Sequence, residues 1–182
     1  IHTLIAFFRA YEYEQIVITL PEGDEPHVRG LLETLPEDYH SRNTRIHLVS
    51  GGETRKDSVF YGLSSFTHPV EYVLIHDGAR PWVSKELIHA VIQDCLTTDA
   101  TIPVVPIPNA VKTISTNGYI DAHLDRSTTM GAQTPQAFAY SSILSAHEKA
   151  DKEGGNYIDD SEIYHEYIGP VHTVEGDPSN IK

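Results

Sequence analysis

Short apolar runs alternate with amphipathic helical stretches along most of this chain, and that alternation limits the fold more than any other feature. Gln15–Leu20, Arg45–Ser50, Tyr72–His76 and Thr101–Ile107 are strand-length runs rich in Ile, Val and Leu. Between them, Pro26–Leu35 puts Val28, Leu31, Leu32 and Leu35 on one helical face. Asp57–Phe66 reads as a second helix, with Asp57 or Ser58 suited to its N-terminus. Ser84 caps a third, Lys85–Thr97, whose apolar face carries Leu87, Ile88, Val91, Ile92 and Cys95. Repeated strand–helix units predict an α/β fold: a mostly parallel sheet with helices on both faces.

The pattern changes after Ile107. Val111–Ile114 and Tyr119–Ala122 flank Thr116-Asn117-Gly118, which reads as a β-hairpin with Asn-Gly supplying the positive φ angles of a tight turn. These strands carry too little apolar surface to stand alone in water. Residues 108–131 are therefore read as an arm that packs on its own domain or on a second subunit. Helical character returns at Tyr140–Lys152 and Asp160–Tyr167, and Val171–Glu175 is a last strand. There is no internal repeat or linker, and 182 residues fit a single domain spanning 1–182.

Composition excludes several classes. The net charge of -13 argues against nucleic acid and anionic membrane surfaces, and a phosphorylated ligand would need a local basic cluster or a divalent cation. No apolar run approaches the ~18 residues of a membrane span, and the opening residues do not read as a signal peptide. The single cysteine, Cys95, cannot form an internal disulfide and fits a reducing, cytoplasmic setting. No zinc motif, nucleophile elbow or Walker-type phosphate loop occurs.

The loops carry the chemistry. His76-Asp77-Gly78-Ala79-Arg80-Pro81 follows an apolar strand, so it lies at the strand's carboxyl end, where open α/β sheets bind ligands. Asp77 suits a hydroxyl or a metal ion, and Arg80 suits a phosphate; the alternative is a turn closed by a structural Asp–Arg pair. His76 reads as a hydrogen-bonded strand-end residue. Gly51-Gly52-Glu53-Thr54-Arg55-Lys56-Asp57-Ser58 joins a strand to a helix, and its glycines allow close backbone approach to a flat ligand such as a nucleobase. Arg126 is a candidate phosphate clamp, and Thr134 is a hydroxyl donor ahead of what reads as a Pro-led helix entry. Lys112 and Lys182 are further cations. Asp159 and Asp160 fall at a helix N-terminus, where carboxylates suit the dipole.

Taken in order, Gly51–Leu63 (Gly-Gly-x-x-Arg-x-x-Ser-Val-x-x-Gly-Leu), His76–Pro81, Leu124-Asp125-Arg126, Gln133–Phe138 and Val174–Lys182 resemble the 2-C-methyl-D-erythritol 4-phosphate cytidylyltransferase family. The resemblance implies a Rossmann-like nucleotidyltransferase fold with a protruding β-arm (108–131) that interlocks a homodimer. It implies transfer of CMP from CTP to 2-C-methyl-D-erythritol 4-phosphate, with release of pyrophosphate and with Mg²⁺ as cofactor, in non-mevalonate isoprenoid synthesis. By the same resemblance, Gly52, Glu53 and Ser58 would line the cytosine, and Asp77 with the Gly78 backbone would sit by the ribose and the substrate. Arg80, Arg126 and Thr134 would hold the polyol phosphate, Arg126 reaching across from the partner's arm, and Lys182 would face the phosphates.

Two departures bear on this expectation. The family opens with a strand and a Gly-rich loop that carries an Arg and a Lys; nothing here matches it, and Ile1–Phe8 resembles the helix that follows. Segments beyond both ends are therefore expected, and residues 1–182 alone are not expected to be active. Asn109 and Ala110 stand where the family has an Asp and a hydroxyl residue ahead of Lys112. A hydroxyl–phosphate hydrogen bond is worth roughly 1.5–3 kcal/mol, about ten- to a hundredfold in affinity. The alternatives are a ribitol 5-phosphate cytidylyltransferase and a non-catalytic nucleotide-binding scaffold.

Overall fold

The computed structural model describes residues 1–40 and 43–182. In chain order the elements are α1 (His2–Ala10), β1 (Gln15–Leu20), α2 (Glu25–Glu33), α3 (Glu37–His40), β2 (Arg45–Ser50), α4 (Arg55–Ser64), β3 (Tyr72–Ile75) and α5 (Lys85–Thr98). These are followed by β4 (Ala100–Pro106), β5 (Lys112–Ile114), β6 (Ile120–His123), β7 (Met130–Ala132), β8 (Gln136–Ala139), α6 (Tyr140–Glu153), α7 (Asp160–Tyr167) and β9 (His172–Glu175).

The α/β class is as expected, and the strand pairing is mixed. β1 and β2 form a parallel pair, Gln15 opposite Arg45 through Leu20 opposite Ser50. The larger sheet centres on β4, which runs parallel to β9 along one edge. Along its other edge it meets β7 and β8 in succession, both antiparallel. β8 also pairs antiparallel with β3. Between β7 and β8 the register on β4 slips, so Gln133–Pro135 leave the ladder as an irregular stretch with a cis Thr134–Pro135 bond.

Side chains alternate across this sheet as the two-residue period requires. Tyr72, Leu74 and Ala137 face α5, where Leu87, Ile88, Val91, Ile92 and Cys95 form one core. Val73, Ile75 and Phe138 face the other way, against Leu63 of α4, Ile143 of α6 and Tyr164 of α7. Helices therefore cover both faces.

Three local readings need correction. The segment after Thr134 is strand β8, and the helix starts only at Tyr140. A Pro ahead of a strand removes no ladder bond, and Ala137 and Phe138 are 1% and 0% exposed between β3 and β4, which favours a strand. Helix α4 begins at Thr54 rather than at Asp57 or Ser58: the Thr54 hydroxyl accepts from the Asp57 N–H while the Asp57 carboxylate accepts from the Thr54 N–H, a capping box. The hairpin β5–β6 forms as expected, but only Gly118 takes a positive φ, +87°, and Asn117 does not. The Ser115 N–H donates to the Tyr119 carbonyl, the wider loop in which one glycine suffices. The ribbon leaves Ile114, Tyr119 and Ile120 exposed.

Candidate active site

β3 ends at Ile75, and the chain turns at once: the Arg80 N–H donates to the Asp77 carbonyl. The turn is fixed from below. The Asp77 N–H donates to Thr134 Oγ1 at 3.1 Å, and His76 meets the same hydroxyl and the Arg80 carbonyl. The Asp77 side chain, only 13% exposed, then gathers cations from three directions. Arg55 Nε donates to Oδ1 at 3.2 Å, Lys182 Nζ lies 3.0 Å from Oδ2, and Arg80 Nε lies 3.5 Å from Oδ2. The Asp77–Arg80 pair read from the sequence exists, as one contact within a larger cluster.

Arg55 extends that cluster inward. Its terminal nitrogen donates to Asp160 Oδ2 at 2.7 Å, and Asp160 Oδ1 faces His147 Nε2 at 3.1 Å. Both Asp160 and His147 have fully buried side chains. Three cations thus face two carboxylates, a locally positive centre within a chain of net charge -13. Burial disfavours the ionised form of Asp77, but Lys182 and Arg55 outweigh it and hold the carboxyl below its ordinary value. Burial likewise opposes the charge on Arg55, and Asp160 with Asp77 overcomes it, holding the guanidinium above its ordinary value.

Lys182 arrives on a strap that follows β9. Gln133 Nε2 donates to the carbonyls of Asp177 and Asn180, and its Oε1 accepts from the Asp177 N–H. Asn180, fully buried, donates from Nδ2 to the Thr134 carbonyl, and its own carbonyl accepts from Arg80. The break between β7 and β8 therefore serves two ends: Thr134 supports the Asp77 turn, and Gln133 ties down the strap. Gly176 is needed here, since a Cβ would lie 2.6 Å from Gln133 Oε1 and 2.9 Å from the Val104 carbonyl.

The Gly51–Ser58 loop lies at the carboxyl end of β2. The Gly52 N–H donates to Ser58 Oγ at 3.1 Å, and that hydroxyl donates to the Thr54 carbonyl. The glycines are also required by the loop itself: a Cβ on Gly52 would sit 2.3 Å from the Asp57 Cβ. Glu53 is exposed. Arg55, in the first turn of α4, joins this loop to the Asp77 turn.

Among the expected site residues, the fold brings together Asp77, Arg80, Thr134 and Lys182, with Gly78 exposed on the same turn. Gly52, Glu53 and Ser58 occupy the neighbouring loop. Arg126 stands apart in a turn after β6, exposed and without an ion pair among the described residues. Thr134 is 4% exposed, with its hydroxyl engaged inside the protein. Sequence reasoning missed Arg55, His147 and Asp160, and also the strap anchors Gln133 and Asn180. Arg55 lies within the Gly51–Leu63 motif; Asp160 reads from sequence as a cap, a task that Asp159 performs by accepting from the Glu162 N–H.

Comparison with known proteins gives consistent matches over this whole arrangement. A model of the family described as 2-C-methyl-D-erythritol 4-phosphate cytidylyltransferase (IspD) matches residues 1–182. A protein of that name from Bacillus licheniformis is 36% identical over 182 residues, covering all of this chain and 76% of the relative. Another, from Thermosynechococcus vestitus, is 37% identical over 181 residues, covering 99% of this chain and 75% of the relative. The crystal structure of 4-diphosphocytidyl-2C-methyl-D-erythritol synthase from Anaerococcus prevotii superposes with a TM-score of 0.88 at 31% identity, covering all of this chain and 78% of the other. The chain thus spans about three quarters of the length of these relatives.

Proposed function

The chain belongs to the 2-C-methyl-D-erythritol 4-phosphate cytidylyltransferase family, and from that premise we propose how its residues act in the reaction. CMP passes from CTP to 2-C-methyl-D-erythritol 4-phosphate, releasing pyrophosphate, a step of isoprenoid biosynthesis. The observation that carries the assignment of roles is the convergence of Lys182, Arg80 and Arg55 on Asp77 at the carboxyl end of β3. That end of an α/β sheet is where ligands bind, and the cluster supplies the positive field that two phosphorylated substrates need.

The chemistry is an in-line displacement at the α-phosphorus of CTP. A phosphate oxygen of the acceptor forms the new P–O bond, and the bond to the bridging oxygen of the β-phosphate breaks, with its electron pair leaving on pyrophosphate. The attacking oxygen is already anionic, so no general base is required, and positioning with charge stabilisation supplies the catalysis. Lys182 meets the charge that develops on the α-phosphate. Asp77, with the Gly78 N–H, receives the ribose. Gly52, Glu53 and Ser58 form the cytosine side. Arg80 binds the acceptor phosphate, and Thr134 keeps the Asp77 turn in place beneath it.

Arg126 joins the acceptor side from a partner subunit, with the arm 108–131 as the dimer contact. Its lack of a partner within the chain among the described residues, and the exposed Ile114, Tyr119 and Ile120 on the ribbon, support this reading. Mg²⁺ is the proposed cofactor. Asp77 would be the carboxylate of this site available to hold the ion together with the substrates' phosphates. When bound, the ion would neutralise phosphate charge. No helix among the described residues is long and apolar enough to cross a membrane, and a cytoplasmic location is proposed.

The test is turnover. Full-length protein with Mg²⁺, CTP and 2-C-methyl-D-erythritol 4-phosphate should yield pyrophosphate and the CDP-alcohol, followed by phosphorus NMR. Ribitol 5-phosphate in its place should react far more slowly. Turnover of ribitol 5-phosphate alone would reverse the substrate assignment, and no turnover of either would remove it.

A further inference from the structure

We infer that Asp160 is a positioning residue for this reaction: acting through Arg55, it fixes the Asp77 carboxylate against which Lys182 is aligned. The inference rests on the functional reading above. Asp160 opens helix α7 but does not cap it, since Asp159 accepts the Glu162 N–H. Instead it lies at 0% exposure with both oxygens engaged, Oδ1 by His147 and Oδ2 by Arg55. An ionised carboxylate so deeply buried is tolerated only when it is paired in this way.

Arg55 has no local reason to be where it is. It occupies the first turn of α4, where a cation opposes the helix dipole. Its position is explained by two acceptors on different elements, Asp160 at 2.7 Å and Asp77 at 3.2 Å. A guanidinium is planar, with its N–H directions fixed relative to one another. Holding the terminal nitrogen on a buried carboxylate therefore sets the direction of Nε–H at Asp77 Oδ1. That leaves Oδ2 turned to Lys182 and Arg80. Fold stability alone does not demand this chain of charges, because well-packed apolar residues commonly replace a buried ion pair without loss. The His147–Asp160–Arg55 line reads as a rigid mount for Asp77.

The experiment uses the full-length protein with Asp160→Asn, Arg55→Gln and the double variant, measuring kcat, KM for each substrate and the thermal midpoint. Misplacing Asp77 and Lys182 should lower kcat in each single variant by about ten- to a hundredfold. The double variant should be no slower than Arg55→Gln, because Asp160 then has nothing to act through. A merely structural Asp160 would lower the thermal midpoint and leave kcat unchanged. Losses in kcat that multiply in the double variant, or near-normal kcat in either single variant, overturn the inference. Should Asp160→Asn fail to fold, Arg55→Lys takes its place: it keeps the charge without the fork, so a comparable fall in kcat supports the inference and full kcat overturns it. A wild type that makes no CDP-alcohol removes the functional reading and this inference together. A wild type that turns over beside fully active variants removes the inference alone.

Discussion

The imidazole of His76 and the hydroxyl of Thr134 lie 3.0 Å apart, and their other partners decide which of the two donates. His76 Nε2 faces the Arg80 carbonyl at 3.1 Å, and a carbonyl can only accept, so Nε2 carries the proton. Nδ1 is then a bare lone pair, and it accepts from the Thr134 hydroxyl. That hydroxyl oxygen in turn accepts from the Asp77 N–H. The neutral ring is thus the form that suits its surroundings, and burial lowers its pKa from the usual 6.5 to about 4.

This pairing makes stability depend on pH. The folded pKa lies below the unfolded one, so as pH falls the unfolded chain takes up the proton first. The contribution is complete above about pH 6.5 and is lost as pH falls toward 4. The thermal midpoint of the wild type should therefore drop more steeply across that window than that of His76→Gln. Parallel curves for the two proteins would show that His76 contributes no such dependence.

Cys95 should be chemically silent in the folded protein. It is 2% exposed among Leu87, Val91 and Ile92 of the α5 core, and burial, reinforced by Asp99 and Asp94, pushes its thiol up to about 12. Ellman's reagent at pH 8 should find no thiol in native protein and one after unfolding in guanidinium. Prompt native labelling would contradict the packing around α5.

Two glycines should respond oppositely to alanine. Gly52→Ala places a Cβ 2.3 Å from the Asp57 Cβ, so the capping box must open. The loss should be at least about 1 kcal/mol in urea unfolding, with a higher KM for CTP because Arg55 follows the loop. Gly30, in α2, has open space around it, and Gly30→Ala should gain up to ~1 kcal/mol from helix propensity. Equal unfolding midpoints for the two variants would disprove the steric account.

If sites are shared between subunits, complementation will reveal it. Arg126→Ala and Asp77→Asn should each fold normally and each lose more than about a hundredfold in turnover. Mixed dimers should recover part of the activity, because one of their two sites draws intact residues from both chains. Mixed dimers that form without any recovery would place Arg126 and Asp77 in the same chain's site.

Much of this organisation can be read from local pattern, because local physics produces it. The Asp77 turn is announced by an apolar run that ends at Gly78 and Pro81. The ribbon is announced by Asn117-Gly118, and α5 by Ser84 and its apolar face. Other features depend on partners remote in sequence. Pro135 reads equally well as a helix start or a strand start, and only the places of β3 and β4 on either side of Phe138 decide. Strand direction is invisible for the same reason. Asp160 resembles any acidic residue at a helix N-terminus until Arg55, 105 residues away, is brought beside it.

The strap that carries Lys182 also sets a timetable for synthesis. Arg80 reaches the Asn180 carbonyl across 100 residues of chain, and the Asn180 amide reaches Thr134 across 46. At roughly 5–20 residues per second, the turn bearing Asp77 leaves the ribosome about five to twenty seconds before the strap that completes it. During that interval the nascent polypeptide holds an acidic turn without its lysine. The site is therefore completed only once residues 176–182 have emerged, and cleavage that removed this strap would take Lys182 away from Asp77.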